Sequence, residues 1–581
     1  MKKLTEKLVQ LFPYLIAIAF SIKATREPDI WWQIRTGEWI LENGQVPETD
    51  MFSNSVAGTE WINIKWGFEV MAAWITKYFG PESIFILQIF VSLGIVFFLK
   101  RIFRLFNLTN LLSNALVLFI TLALVEYRLI GRPEMTTHFL FVVYLYILYH
   151  HFLSPKSKWI WALIPLQIFW TNMHEAYGLG IIVIGIFFAA AWADTLKHKT
   201  KKPMVLTSVL GLSILAILVN PRGIVMLLRP LNIFSQVQQN KFTTELANIV
   251  DPNYWQKESY IFIAFIGLIL FLIWKKREKL HTVFISFKWQ CLGGLLLVAF
   301  VVLGLMAARN IIFFFLLFAP MLAIIVSDIK FFNKMNPMAV VLVGLLFYAT
   351  IVSDSYYRFT KSNNQYGLFV QSGFHPIGAA NFIQQHGLTN KKCFSSYIIS
   401  SYLLWKLQPN FKTYIDLRDL DVFSEEFFRA YFENAQVPEK FIELDKKEQF
   451  EYVVLFRKFS PQLHHYLYTD TVFGCIYADP VCAIYQKTDS LAQGDHFRRL
   501  QDVPSSGMAR GISTFFNPLY EQPKFETYDV GLEAAEYYMS VGMITLAKQR
   551  LSNYLYNHPN DAAAIALQER LNTFTPKSEG F

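Results

Sequence analysis

Two carboxylates one residue apart, Glu27 and Asp29, stand in REPDIWWQIRTGEWI directly after an apolar segment. A carboxylate there can take a proton from a hydroxyl that attacks a sugar carbon. Two acids at this spacing can also share a divalent cation that bridges phosphate, so Mg or Mn held by Asp29 and Glu27 is an expectation. A departing phosphate needs its developing charge stabilised, and the arginine fork matches phosphate oxygens. The chain offers Arg132 in GRPEM, Arg222 in NPRG and Arg309 in AARN. His174 and Glu175 in NMHEAYG add a base, ligand or hydrogen-bond pair, and Glu134 and Asn310 stand close to Arg132 and Arg309. Trp31 and Trp32 read as belt residues at a membrane boundary, with sugar stacking by Trp32 as the other reading. Asp416 and Arg418 in YIDLRD read either as a structural ion pair or as a contact to an acceptor. Plainer readings stand beside these: an acid after a first span is a solvated cap, the arginines are snorkellers, and His174 is a structural hydrogen-bonder.

Those residues need elements to hold them. The chain has 581 residues, of which 54% are hydrophobic and 17% aromatic, too apolar for an ordinary soluble enzyme of this length. The composition implies an α-helical polytopic membrane protein with a soluble part. The first apolar segment, about 8–22, has no small-residue cleavage site and reads as a retained anchor. Four cysteines do not make a disulfide scaffold; Cys475 and Cys482 either pair across a short turn or stay as buried thiols. Net charge is +9, yet from Asp354 onward 22 Lys+Arg face 25 Asp+Glu, so the earlier part carries +12. Basic residues confined to the membrane part set topology, and no nucleic-acid partner is indicated.

Apolar runs predict about eleven spans: 8–24, 83–99, 111–126, 136–153, 158–171, 176–193, 204–219, 258–274, 289–306, 311–327 and 337–353. The connections MKKLTEK, KRIFR, SPKSK, KHKTKK, KKREK and IKFFNK are short and basic and fall on alternate sides. Lysine and arginine accumulate on the cytoplasmic side, which puts the amino end inside and everything after Asp354 outside. The candidate ionisable groups sit on the opposite connections, where they are costly unless paired or functional. The expected localisation is a bacterial cytoplasmic (inner) membrane, with the later part in the periplasm.

The domain reading is a membrane domain over 1–353, whose first outer loop, 24–82, holds two interfacial helices. One is 31–43, with Trp32, Trp39 and Ile40 on one face; the other is WGFEVMAAWITKYFG. A soluble α/β domain follows over 354–489, with KKCFSSYIISSYLLWKL as strand then helix and FKTYIDLR and EYVVLF as strands. SEEFFRAYFENA and PQLHHYLY read as helices, and GCIYADPVCAIYQK as a hairpin. Residues 490–525 read as linker. The tail, 526–572, has tetratricopeptide-like (TPR-like) spacing at Tyr538, Gly542, Ala547, Leu551 and Pro559; an unrelated helical hairpin is the alternative.

An acidic pair of the E-x-D type early in the first outer loop resembles the signature of GT-C glycosyltransferases, polytopic enzymes that use a polyprenyl-phosphate sugar donor. PDIWWQIRTGEWILENGQVPETDMFS, GRPEM, NMHEAYGLG, NPRG and ARN resemble a bacterial branch of that group, as does a soluble α/β domain after the spans. The resemblance covers about residues 1–488. It implies that Asp29 matches the family's catalytic or metal-binding acid and Glu27 its companion. No WWD-type peptide motif stands in the soluble domain, which argues against Asn-linked protein glycosylation and leaves the acceptor open.

The expected function is an inverting integral-membrane glycosyltransferase. It would move a sugar from a lipid-linked polyprenyl-phosphate donor to a glycan, lipid or protein on the outer face. Arg132, Arg222 and Arg309 would hold the phosphate. The alternative is a non-catalytic scaffold of an envelope complex that docks a protein partner through the soluble domain and TPR-like tail. A lipid-linked-glycan transporter ranks last, because the ionisable residues cluster at one boundary and not along the spans.

Overall fold

Apolar runs broken by charged or proline-bearing connections become helices over the first 350 residues. The computed structural model describes residues 2–230, 248–250, 255–275, 286–327, 336–418, 421–457, 459–469, 472–479, 481–487, 532, 535–536, 539 and 544–573. The helices there are α1 (Lys2–Ser21), α2 (Asp29–Asn43), α3 (Trp66–Phe79), α4 (Phe85–Leu105), α5 (Leu111–Val125), α6 (Glu134–Leu153) and α7 (Leu163–Met173). They continue as α8 (Gly178–His198), α9 (Met204–Ala216), α10 (Lys257–Lys275), α11 (Phe287–Met306), α12 (Ile311–Val326) and α13 (Pro337–Val352). Each of the eleven predicted spans falls on one of them. Among the described residues, seven helical stretches are long and apolar enough to cross a membrane, so the protein is multi-pass. The linker expected at 490–525 and the basic stretch IKFFNK lie outside the described residues, as does most of KKREK.

The chain divides into two compact units, 1–24 with 64–368 and 25–63 with 369–581. The boundaries cut the first connection in two: α2 belongs to the second unit and α3 to the first.

In the helical unit α12 is the central element, with 83% of its most apolar window buried, against 22% for α10 and α11. Apolar helices that the protein leaves so uncovered are surrounded by lipid. Glycines let helices approach closely. A Cβ on Gly94 would meet the Phe139 ring at 2.4 Å, and one on Gly344 would meet Phe12 at 2.6 Å. Helix α3 is two-faced: Phe68, Ala72 and Ile75 are buried while Trp74, Tyr78 and Phe79 are exposed.

The second unit holds α14 (Ile377–Gln385), β1 (Cys393–Ser395), α15 (Tyr397–Lys406), α16 (Glu425–Gln436), α17 (Pro438–Glu448), β2 (Tyr452–Phe456), α18 (Pro461–Thr469), β3 (Phe473–Ala478) and β4 (Cys482–Lys487). The strands form one sheet in the order β1-β2-β4-β3. Strand β1 lies parallel to β2, and β4 runs antiparallel to both β2 and β3. The strands read as continuous apolar runs because both faces are covered. Phe382 of α14 packs on Tyr477, and Tyr431 of α16 and Phe441 of α17 pack on Phe394. Cys475 and Cys482 are free thiols, with no disulfide between them. Helices α19 (Ile544–Asn557) and α20 (Ala562–Thr573) close the described tail, and their Ala547, Leu551, Ala564 and Leu567 share the buried cluster of the sheet.

FKTYIDLR is a loop, not the expected strand, and its charges explain why. Arg418 donates to Asp416 at 2.7 and 2.8 Å and to Asp50 at 2.6 Å, all three side chains being fully buried. Thr413 bridges Ser53 and Ser55 donates to the Tyr414 carbonyl, so two segments about 360 residues apart form one corner. Phe52, Trp61 and Phe423 ring the guanidinium at 4.9–5.9 Å. Burial alone would raise the Asp50 pKa; the Arg418 charge and hydrogen bonds outweigh it and hold the carboxyl below its usual range. Arg418→Met should leave two facing buried carboxylates and destabilise the unit by about 3–5 kcal/mol. Urea titration of the full chain in detergent, followed by tryptophan fluorescence, measures it. A loss under about 1 kcal/mol, the range of exposed pairs, would contradict the account.

Candidate functional site

Two corners of like design bring charged residues to one end of the helical unit. Helix α7 stops at Met173, His174 turns extended, and a 3₁₀ turn over Glu175–Tyr177 leads into α8. Helix α11 stops at Met306, Ala307 turns extended, and a 3₁₀ turn over Ala308–Asn310 leads into α12. The corners bring Glu175 and Arg309 together, with Arg309 Nη1 3.9 Å from Glu175 Oε1. Lys65 and Arg229 also act on the Glu175 carboxylate. Three cations thus act on one carboxylate, an arrangement suited to an anionic oxygen group.

Beside this group Glu134, the first residue of α6, pairs with Arg128, and both are buried. Burying an acid at a helix start is favourable only with such a partner and the helix dipole. His174 sits next to them. The Trp170 indole N–H donates to Thr137 Oγ1 at 2.8 Å, and Thr137 lies 2.9 Å from His174 Nδ1. The Ala176 backbone N–H also points at Nδ1, at 3.4 Å. With Thr137 already accepting and a backbone donor on Nδ1, the network places the imidazole proton on Nε2. His174 is thereby held as a donor through Nε2.

Of the other predicted residues, Arg222 follows Asn220, whose amide donates to Asn172 Oδ1, a neighbour of His174 in sequence. Arg222 is half-buried, as is Arg132 on the loop before α6. The charges that act most strongly on Glu175 are those of Lys65, His174, Arg309 and Arg229, and neither Arg132 nor Arg222 is among them. Asn310 has a structural use: its amide donates to the Leu303 carbonyl at 3.1 Å near the end of α11. Sequence reasoning missed Lys65, Arg128 and Arg229. Arg229 had a readable signal, since Arg229-Pro230 repeats the Arg132-Pro133 pattern at a helix boundary.

Glu27 and Asp29 lie in the second unit. Asp29 is half-buried and opens α2 after Pro28, where the helix dipole favours a carboxylate. The helix ends at Gly44, whose positive φ of 69° suits glycine. The tryptophans do not form a membrane belt. Trp31 packs on Tyr402 and Trp405 of α15 and is wholly buried; Trp32 is buried with Phe52, Trp61 and Leu404. Protein, not lipid, covers these rings. Glu38 adds a polar tie, accepting from Gln408 at 2.8 Å. Asp416 and Arg418, the candidate acceptor contacts, are spent on the buried corner with Asp50.

No family model matches the chain, and no curated protein matches it. Its fold is similar to that of solved oligosaccharyltransferases from Archaeoglobus fulgidus. The zinc and sulfate complex aligns with a TM-score of 0.50 and 12% identity over 82% of this chain and 73% of that one. The apo form aligns at 0.46 and 11%, covering 83% and 74%. AglB with an inhibitory peptide and a dolichol-phosphate aligns at 0.47 and 10%, covering 84% and 75%. Among the described residues, no group of three or more His, Cys, Asp or Glu is arranged to hold a metal ion.

The clamp on α2 makes an acid-sensitive prediction. His375 accepts from the Trp31 indole at Nδ1, 3.2 Å, and lies 3.1 Å from the Thr25 carbonyl at Nε2. Burial pushes its pKa down to about 3. The unfolded imidazole therefore takes a proton first. The stabilisation is complete above about pH 6.5 and is lost at about 1.4 kcal/mol per pH unit as pH falls toward 3. His464 of α18, also buried and held at about 4, adds to the slope. His375→Gln should flatten the stability-pH curve between pH 6 and 4 (~1.4 kcal/mol less slope per unit), read by tryptophan fluorescence. An unchanged slope would contradict the assignment.

Proposed function

We propose that the protein is an integral-membrane glycosyltransferase that takes a sugar from a polyprenyl-phosphate donor. The observation that carries this reading is the half-buried group at the helix ends, where Lys65, Arg229 and Arg309 act on Glu175 beside a donor-poised His174. A phosphate held among apolar helices needs cations of that kind. The likeness in fold to the archaeal oligosaccharyltransferases supports the reading.

In the proposed reaction an acceptor hydroxyl attacks the anomeric carbon, and the carbon–oxygen bond to phosphate breaks as the new glycosidic bond forms. The hydroxyl proton goes to Asp29, with Glu27 as its companion, and polyprenyl phosphate leaves. Attack opposite the leaving group inverts the configuration. Arg309, Lys65 and Arg229 stabilise the departing phosphate, and Arg132 and Arg222 keep the phosphate role proposed from the sequence. No step is routed through a metal. The acceptor class is a glycan, lipid or protein on the outer face of a bacterial inner membrane. Eleven spans with the amino end inside would put 354–489 and the tail on that face.

The scaffold reading is less well supported. It needs the tail as a docking surface, yet the apolar residues of α19 and α20 lie in the chain's own buried cluster.

Asp29→Asn should lower turnover by roughly 10²–10⁴-fold without changing the melting temperature. Arg309→Ala should lower it by roughly 10²–10³-fold. Release of free polyprenyl phosphate from membranes holding the lipid-linked donor, followed by mass spectrometry, is the readout. Wild-type release by Asp29→Asn would overturn the base, and wild-type release by Arg309→Ala would overturn the phosphate site.

A further inference from the structure

A cavity lies in the helical unit, toward the opposite end of α11 and α12 from the charged group. Its volume is about 530 Å³, inside the 300–1,000 Å³ range of ligand sites. Helices α11 and α12 supply most of the wall, with Phe106 after α4, Tyr149 of α6 and Ile273 of α10. Trp289 and Arg309 lie beyond opposite ends of α11's middle, roughly 25 Å apart along the axis at 1.5 Å per residue. The cavity is therefore not the charged group around Glu175.

Its lining is that of an amphiphile site. Leu292, Leu296, Leu317 and Phe318 give an apolar interior, and Gly293 and Gly294 leave open space, with nothing within 4 Å of an added Cβ. Polar character is confined to one edge. There the Trp289 and Tyr149 rings stack at an interplanar angle of 19°, and Gln290 adds an amide. Lys288 immediately precedes Trp289, its Nζ 3.2 Å from the Phe152 carbonyl and over that ring. Lys197 lies over Phe287 at 3.8 Å, and the His198–Asp194 pair stands beside it.

We propose that this cavity binds the acyl chain of an anionic glycerophospholipid, with the headgroup phosphate beside Lys288. Lipid is the fluid that surrounds α10 and α11, the two helices the protein covers least, so lipid is what can enter between them. The cation at the polar edge selects a negative head. The inference rests on membrane-spanning helices alone and holds whether or not the protein transfers sugar.

The test uses the full chain in detergent with phosphatidylglycerol carrying a diazirine on its acyl chain, and locates labelled peptides by mass spectrometry. Labelling should concentrate in 289–297 and 317–324 and be competed by unlabelled phosphatidylglycerol. Gly293→Leu and, as an independent variant, Gly294→Leu should cut it about tenfold by filling the space. Lys288→Gln should remove the preference over phosphatidylcholine. Labelling spread evenly over the lipid-facing helices, or unchanged in both glycine variants that fold, would overturn the proposal. So would displacement by polyprenyl phosphate at a tenth of the phosphatidylglycerol concentration, which would make this a donor-tail site.

Discussion

A charge at the boundary of a membrane must be compensated within a few ångströms, and this constraint shapes the helical unit. Lys23 shows the simplest solution: it pairs with Glu126 at 2.7 Å, donates to the Glu126 carbonyl and is buried. Arg128 and Glu134 repeat it. The group around Glu175 departs from one-to-one pairing, since Arg309, Lys65 and Arg229 act on a single carboxylate. Cations gathered on one carboxylate among apolar helices suit a further anionic group, and that is the physical basis of the functional reading.

The second unit solves a different problem by the same means. Residues 25–63 are separated from 369–487 by some 300 residues of helices, yet they form one core. A buried guanidinium satisfied by two carboxylates, Asp50 and Asp416, ties the corner together. Trp31 and His375 tie the other side. Removing one member of such a network leaves a buried charge or an unsatisfied polar group, so the network specifies which segments meet.

Much of this was readable from residue types. Apolar periodicity located all eleven helices of the expected spans, and EYVVLF and GCIYADPVCAIYQK were read as the strands they are. Polar residues beside glycine or proline at helix ends pointed to Glu134, His174, Glu175 and Arg309. What stayed hidden depended on contacts distant in sequence. Nothing local to PETDMFS says that Asp50 meets Arg418, 368 residues on. The aromatic rings of Trp31 and Trp32 have the same affinity for a lipid headgroup region as for a protein core, so their burial under α15 could not be told from a belt. FKTYIDLR has strand-like alternation, but its acid and arginine serve the buried corner. Lys65 was missed because Glu175, the carboxylate on which it acts, arrives from another helix pair.

The account's central claim is that the cationic group around Glu175 receives a lipid-borne phosphate. Direct binding of polyprenyl phosphate to the purified full chain, measured by native mass spectrometry, tests it. The account predicts a complex that Arg309→Ala and Lys65→Ala each weaken by roughly 10–100-fold, the loss of one charge-assisted hydrogen bond. Equal occupancy in wild type and both variants would contradict it.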